Sequence, residues 1–262
     1  MSPETVLVTG ASSGIGLELA RCFAAEGCRL ILVARKRHPM QALADELRAA
    51  HKTHSEIIPF DLAEPEAAVR LFRHLESNGT RVDVLVNNAG FGAHGLFAEL
   101  PADRQRDMVQ LNVMAPTQLA RLFLPRMIER KRGGILNVAS TAAFQPGPRM
   151  GVYFATKAYL LSFSEALSEE VSGTGVVVSA LCPGPTATNF GEAAGSRHSP
   201  SFRKLSMSAK DVAVIGHRGF RAGKALVIAG PRNRLMAFAI RFAPRSLVRK
   251  IAGRLNQASY AA

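Results

Sequence analysis

The feature that most constrains this chain is an alternation. Short β-branched or apolar runs at 6–8, 30–33, 56–58, 82–86, 134–138, 176–181 and 225–228 are separated by longer segments of helical period at 14–26, 39–51, 64–77, 101–130, 152–171 and 208–221. Several of the short runs are apolar at consecutive positions, so both of their faces have to be covered. Strands covered on both faces and joined through helices predict an α/β fold: a doubly wound parallel sheet of about seven strands with helices on either side. Pro39, Pro101 and the acids that follow Pro65 and Pro101 suit helix starts, while Gly27, Gly79 and Gly173 suit helix ends. With no repeat, low-complexity tract or linker in sight, residues 1–262 are read as one domain. Two stretches break the rhythm. Residues 185–207 mix Gly, Pro, Ser and charge without a period, which reads as a loop either functional or disordered, and a mobile substrate loop is expected there. Residues 232–255 are basic and amphipathic.

Several function classes fall away on composition. Cys22, Cys28 and Cys182 lack metal-type spacing and are too few for a disulfide framework. No apolar run is long enough to span a bilayer, and the first residues lack the basic-then-apolar pattern of a signal peptide, so a cytoplasmic setting is expected. The net charge of +13 would ordinarily suggest nucleic acid. Its distribution argues otherwise. Ten Lys/Arg and no acid follow Asp211, so residues 1–211 carry 23 basic against 20 acidic residues, only +3.

The first strand runs into Thr9-Gly10-Ala11-Ser12-Ser13-Gly14-Ile15-Gly16 and then an apolar helix. Glycines there permit a tight turn and close approach of the backbone to a pyrophosphate, whose charge sits at the helix N-terminus. The spacing G-x-x-x-G-x-G resembles the fingerprint of the short-chain dehydrogenase/reductase family, which implies a Rossmann-type fold. On that resemblance Gly10, Ser12, Ser13, Gly14, Ile15 and Gly16 would line the cofactor. The second strand ends in Ala34-Arg35-Lys36-Arg37, with no acid to accept from an adenosine ribose. A cation at that position favours a 2′-phosphate, so NADP(H) is expected, with Arg35 as leading contact and Lys36 or Arg37 as helper. Asp61 matches the family's adenine-contacting acid, with an N-cap for the 64–77 helix as the plain structural alternative. Asn87-Asn88-Ala89-Gly90 matches the family's NNAG motif, which puts Asn88, Ala89 and Gly90 at the cofactor.

Tyr153 and Lys157 stand at i and i+4, on one face of the 152–171 helix. A nearby ammonium favours the phenolate and so makes a phenol a usable acid or base. Ser140 closes the fifth strand, and ligands of parallel sheets bind beyond the strand C-terminal ends. Asn112 lies inside a long helix, where an inward amide needs either a purpose or backbone partners. Asn112, Ser140, Tyr153 and Lys157 match the family's catalytic tetrad in order and approximate spacing. By resemblance, Tyr153 would move the proton, Ser140 would orient the substrate oxygen, and Lys157 would tune the tyrosine and hold the nicotinamide ribose. Asn112 would anchor a water leading to solvent. Pro183-Gly184-Pro185-Thr186-Ala187-Thr188 resembles the family's P-G-x-x-x-T segment; Pro183, Gly184 and Thr188, or Thr186, would meet the nicotinamide end, and the second proline is a departure from the pattern.

Substrate specificity is expected from 142–150, 91–94 and 187–207, where Phe91, Phe144, Met150, Phe190 and Phe202 suit a lipophilic carbonyl or alcohol. His94 and His198 are read as solvated or packed, and Cys182 as a packed residue without a base. In the basic segment, Leu235, Phe238, Phe242, Leu247, Val248, Ile251 and Leu255 fall at helical spacing, and Pro244 is expected to split it into two short helices. Packing against its own domain or a partner subunit is the preferred reading there, and contact with anionic lipid the second. A homodimer or homotetramer is expected from the resemblance. The alternative to an enzyme is a catalytically idle dinucleotide-binding regulator or scaffold on the same fold.

Overall fold

The computed structural model describes residues 3–188, 190 and 206–258. Seven parallel strands form one sheet: β1 (Thr5–Thr9), β2 (Arg29–Ala34), β3 (Ser55–Pro59), β4 (Val84–Asn87), β5 (Gly133–Val138), β6 (Val176–Cys182) and, after two short strands, β9 (Leu226–Ile228). Their order is β3-β2-β1-β4-β5-β6-β9. The chain thus winds outward from β1 in one direction and, from β4, in the other. This reversal opens a crevice above the C-terminal ends of β1 and β4, where ligands of such sheets bind. The doubly wound sheet expected from the alternation is present.

Side chains of successive strand residues point to opposite faces, and here both faces are covered. Val6, Val8, Leu30 and Leu32 pack with α1 (Gly14–Ala25), α2 (Arg37–His51) and α7 (Ala209–Arg221). Leu7, Ile31, Val33 and Leu85 pack on the other face with α3 (Ala67–Ser77) and α5 (Ala115–Glu129). The consecutive apolar residues of β1 are all fully buried, which is the physical reason this strand carries no alternation.

Three sequence expectations need correction. The 64–77 helix begins only at Ala67, with Glu66 in a left-handed conformation at its start, so Asp61 does not cap it. Asp61 instead accepts the Ala63 N–H at 2.9 Å in a local turn. The 101–130 helix runs without a gap from Ala102 to Glu129 but is not α-helical throughout: α4 (Ala102–Val109) and α5 are joined by a π-helical turn at Gln110–Met114. Pro116 has no N–H to give to the carbonyl of Asn112 four residues earlier, so the α-helical register cannot run through unbroken. Finally, Phe144, expected on the substrate side, is half-buried against Ala139, Leu161 and Cys182.

The loop expected at 185–207 has pinned ends. β7 (Thr186–Ala187) pairs in parallel with β8 (Met207–Ser208), and Met207 N–H donates to the Pro185 carbonyl at 2.9 Å. Phe202 and His198 lie outside the described residues. The basic segment forms α8 (Pro231–Ile240) and α9 (Arg245–Ala258), separated at Pro244 as expected. The expected packing is corrected in its detail. The segment rests on the chain through Ala237, Val248 and Ala252, while Leu235, Phe238, Phe242, Leu247, Ile251 and Leu255 are exposed. Among the described residues, no helix is long and apolar enough to cross a membrane.

Candidate active site

The glycine-rich turn after β1 is held from below by the fourth strand. Thr9 Oγ1 donates to the Val86 carbonyl and accepts the N–H groups of Asn88 and Ala89, both at 3.0 Å. The Asn88 amide donates to the carbonyls of Thr9 and Gly10, at 2.9 and 3.2 Å. Gly10 and Gly14 have φ of +66° and +58°, a region that favours glycine. A Cβ on Gly16 would lie 2.3 Å from Asn88 Nδ2 and 2.5 Å from the Gly10 carbonyl, so only glycine fits between turn and strand.

Above this floor, Ser13 precedes α1 in an extended conformation and makes no side-chain cap. The first N–H groups of the helix are therefore not taken by a capping side chain, and an anion is favoured there. This cradle fits a pyrophosphate. Ser12, Gly14 and Ile15 are half-buried along its rim, and the Thr188 methyl sits over Gly14, 3.1 Å from where a Cβ would be. At the end of β2, Arg35, Lys36 and Arg37 are all exposed, and none of the ion pairs among the described residues engages them. Asp61 stands beside them, since Phe60 N–H donates to the Ala34 carbonyl at 2.9 Å.

The four tetrad positions converge beyond the ends of β4 and β5. Tyr153 and Lys157 lie on α6 (Gly151–Glu170), with Lys157 Nζ 5.9 Å from the centre of the Tyr153 ring. Lys157 is buried, and Nζ donates to the Val138 carbonyl at 2.8 Å. Burial disfavours its charged form and lowers its pKa to about 8. Ser140 caps the short 3₁₀ turn at Thr141–Phe144: its Oγ accepts the Ala142 N–H at 3.1 Å. Its hydroxyl has only a long contact, 3.5 Å, to the Pro183 carbonyl. Asn112 sits in the π turn and is buried. Its Oδ1 accepts the Phe91 N–H at 3.1 Å, and its Nδ2 donates to the Phe91 carbonyl at 2.9 Å and to Thr156 Oγ1 at 3.1 Å. Gly90 lies against both, since a Cβ there would be 2.9 Å from Asn112 Oδ1 and 3.5 Å from Lys157 Nζ.

Further along, Gly184 lies against Asn233 of α8, and Thr186 Oγ1 donates to the Gly184 carbonyl at 2.9 Å. The Thr188 hydroxyl accepts the Phe190 N–H at 3.3 Å. Phe190 packs at 5.2 Å against the Tyr153 ring, and Met150 and Phe190 both close on Gly92. Beside them a mainly apolar recess of about 200 Å³ is lined by Ala93, Phe97, Leu100, Met108, Met150 and Val152, with Gln105 and Arg149 also on its wall. His94 is half-buried, and burial and Arg149 lower its pKa. Burial pushes the Cys182 thiol up to about 12, far from a reactive thiolate.

Three residues absent from the sequence-derived set support this geometry. Thr9 links the glycine turn to β4, Thr156 holds Asn112 while donating to the Tyr153 carbonyl at 2.7 Å, and Asn233 underlies Gly184. Thr9 opens the glycine motif and Thr156 stands three residues after Tyr153 on the same helical face, whereas Asn233 left no trace in the sequence.

The short chain dehydrogenase family matches residues 4–198. The chain belongs to the short chain dehydrogenase family. An uncharacterized oxidoreductase of Myxococcus xanthus is 38% identical over 72% of this chain and 76% of its own length. A very-long-chain 3-oxoacyl-CoA reductase of Coprinopsis cinerea is 40% identical over 66% of this chain. The match spans only 51% of that reductase and 61% of a Pseudocercospora fijiensis short chain dehydrogenase. Among solved structures, a short-chain dehydrogenase from Sphingobium yanoikuyae in complex with NADPH superposes with a TM-score of 0.82. It is 32% identical, covering 93% of this chain and 94% of that one. A Burkholderia phymatum relative in complex with NAD superposes at 0.79 with 26% identity, covering 90% of this chain and 92% of that one. As a short chain dehydrogenase, the chain is an oxidoreductase of a family that binds a nicotinamide dinucleotide.

Proposed function

We propose that this short chain dehydrogenase is an NADP(H)-dependent enzyme acting on the carbonyl or alcohol carbon of a lipophilic small molecule, with Tyr153 as acid and base. One observation carries the reading: a buried Lys157 ammonium beneath the Tyr153 ring, at the strand ends where Ser140 also stands. When bound, the nicotinamide supplies or takes up the hydride. As negative charge grows on the substrate oxygen, the Tyr153 hydroxyl gives it a proton; in the oxidative direction the phenolate takes the alcohol proton. With a pKa of about 8, Lys157 is still largely charged at neutral pH and favours the phenolate. Ser140 keeps its oxygen on the Ala142 N–H and turns its loosely held hydrogen toward the substrate oxygen. Asn112 has spent its side chain on Phe91 and Thr156, so its contribution is its backbone carbonyl. Pro116 has no N–H for that carbonyl, which can hold a water leading from Lys157 to solvent.

The cofactor would lie across the crevice, held by the turn from Gly10 to Gly16, by Asp61, and by Asn88, Ala89 and Gly90. Pro183, Gly184, Thr186 and Thr188 would hold its nicotinamide end. Solved relatives carry either NADPH or NAD, so the choice rests on this chain's own residues. Three cations and no acid at the end of β2 favour a 2′-phosphate, with Arg35 able to fork around its oxygens. Phe190 and Met150 beside Tyr153, with the apolar recess next to them, suit a lipophilic substrate.

The test is Tyr153→Phe assayed with NADPH across a panel of ketones and aldehydes. Turnover is expected to fall by about 100-fold or more, while NADPH binding followed by fluorescence stays nearly unchanged. Retained turnover in the variant would overturn the assignment.

A further inference from the structure

The helices α8 and α9 present a surface that the proposed reaction does not use. Along α8 and just past its end, Leu235, Phe238 and Phe242 fall at i, i+3 and i+7 and share one face. Phe242 is 76% exposed and Leu235 69%, and the Phe238 and Phe242 rings meet edge-on at 5.1 Å. Along α9, Leu247, Ile251 and Leu255 fall at i, i+4 and i+8 and are likewise exposed. The stripes that hold these helices to the chain are different ones. Ala237 is the buried residue of α8, and Val248 and Ala252 are those of α9, where the Asn256 amide also donates to the Pro148 carbonyl at 2.9 Å. At roughly 100° per residue, Arg234 and Arg241 border the exposed stripe of α8, and Lys250 and Arg254 border that of α9.

Between 231 and 258 there are seven cations and no acid. None of the seven takes part in an ion pair among the described residues. Self-pairing through this face would set seven cations against seven, which disfavours a second copy as the occupant. A helix with large apolar side chains on one face, bordered by Lys and Arg, is the composition that settles in a lipid headgroup region. There the apolar side chains enter the acyl boundary while the cations reach anionic headgroups.

We propose that α8 and α9 dock this protein on the surface of an anionic membrane. Vesicles of phosphatidylcholine containing about 30% phosphatidylglycerol should co-sediment the intact protein at ~0.05 M salt, and raising salt to ~0.5 M should release it. Pure phosphatidylcholine vesicles should bind at least about tenfold less. Two double variants test the two components separately: Phe238→Ser with Phe242→Ser, and Lys250→Glu with Arg254→Glu. Each should weaken binding by about tenfold or more, with an unchanged urea midpoint confirming that the fold is intact. Failure of the wild type to pellet with anionic vesicles at low salt overturns the proposal. So does full binding by both folded variants. Loss of a solution dimer on changing the two phenylalanines would instead assign the face to a second copy and overturn the lipid assignment.

Discussion

Lys157 concentrates the electrostatics of the site in one atom. Its amine is buried and holds the Val138 carbonyl, and its pKa drops from 10.5 to about 8. The folded chain therefore binds this proton less tightly than the unfolded one. The cost of burying the cation is complete below pH 8 and disappears as pH rises toward 10.5, so this group makes stability increase across that window. Lys157→Met should gain up to about 3 kcal/mol over wild type at about pH 7, with the gap closing near pH 10. Urea unfolding of both proteins at the two pH values measures it, and a constant gap would refute the burial argument. Gly16 makes a steric counterpart. A methyl group there would collide with the Gly10 carbonyl and the Asn88 amide. Gly16→Ala should cost about 1–3 kcal/mol and weaken dinucleotide binding, read by calorimetry. Tyr153, Lys157 and Gly16 were legible as candidates because each belongs to a motif whose spacing resembles the family's. The contacts of Thr9 and Asn233 were not, because their partners, Asn88 and Gly184, are distant in sequence and the contacts exist only once the chain has folded.

The elements owe their positions to buried polar links as well as to apolar faces. Asn87 on β4 donates to Asn137 on β5 at 2.9 Å, and Asn137 donates to Ser164 on α6 at 2.9 Å. This chain ties the two central strands to the helix that bears Tyr153 and Lys157. Asn137→Val leaves the buried Asn87 amide without its best acceptor, and should lower stability by about 1–3 kcal/mol. It should also reduce turnover through displacement of α6, so that kcat falls more than NADPH affinity. Thermal melts and steady-state kinetics check the two effects; unchanged values in both would remove the link. The π turn at Gln110–Met114 was legible only in hindsight. Asn112 and Pro116 are four residues apart, which breaks the α-helical bond between them, yet the apolar periodicity continues across the break and reads as one helix.

At the scale of the molecule, the cofactor crevice lies where the winding reverses between β1 and β4, which are adjacent in the sheet but far apart in sequence. A ligand bound there stabilises the whole fold. NADPH at 100 times its dissociation constant should add about 2.7 kcal/mol, a rise in Tm of roughly 5–10 °C for a chain of this size. Arg35→Ala should lose most of that rise with NADPH and little of any rise with NADH. Equal rises with both cofactors in the wild type would refute the proposed preference. The net charge of +13 divides along the same lines: a body of +3 that contains the crevice, and ten cations after Asp211, most of them on α8 and α9. The sequence by itself determined the doubly wound sheet and the glycine turn, through local periodicity and spacing, while Asn112, Ser140, Tyr153 and Lys157 became the proposed catalytic set through resemblance to the family. The tertiary structure alone decided that the Asn112 amide reaches Phe91 and Thr156, that Lys157 is buried, and that six large apolar side chains of α8, α9 and their junction face outward. Periodicity identifies a stripe that requires cover, but which stripe receives it depends on what the rest of the chain brings alongside.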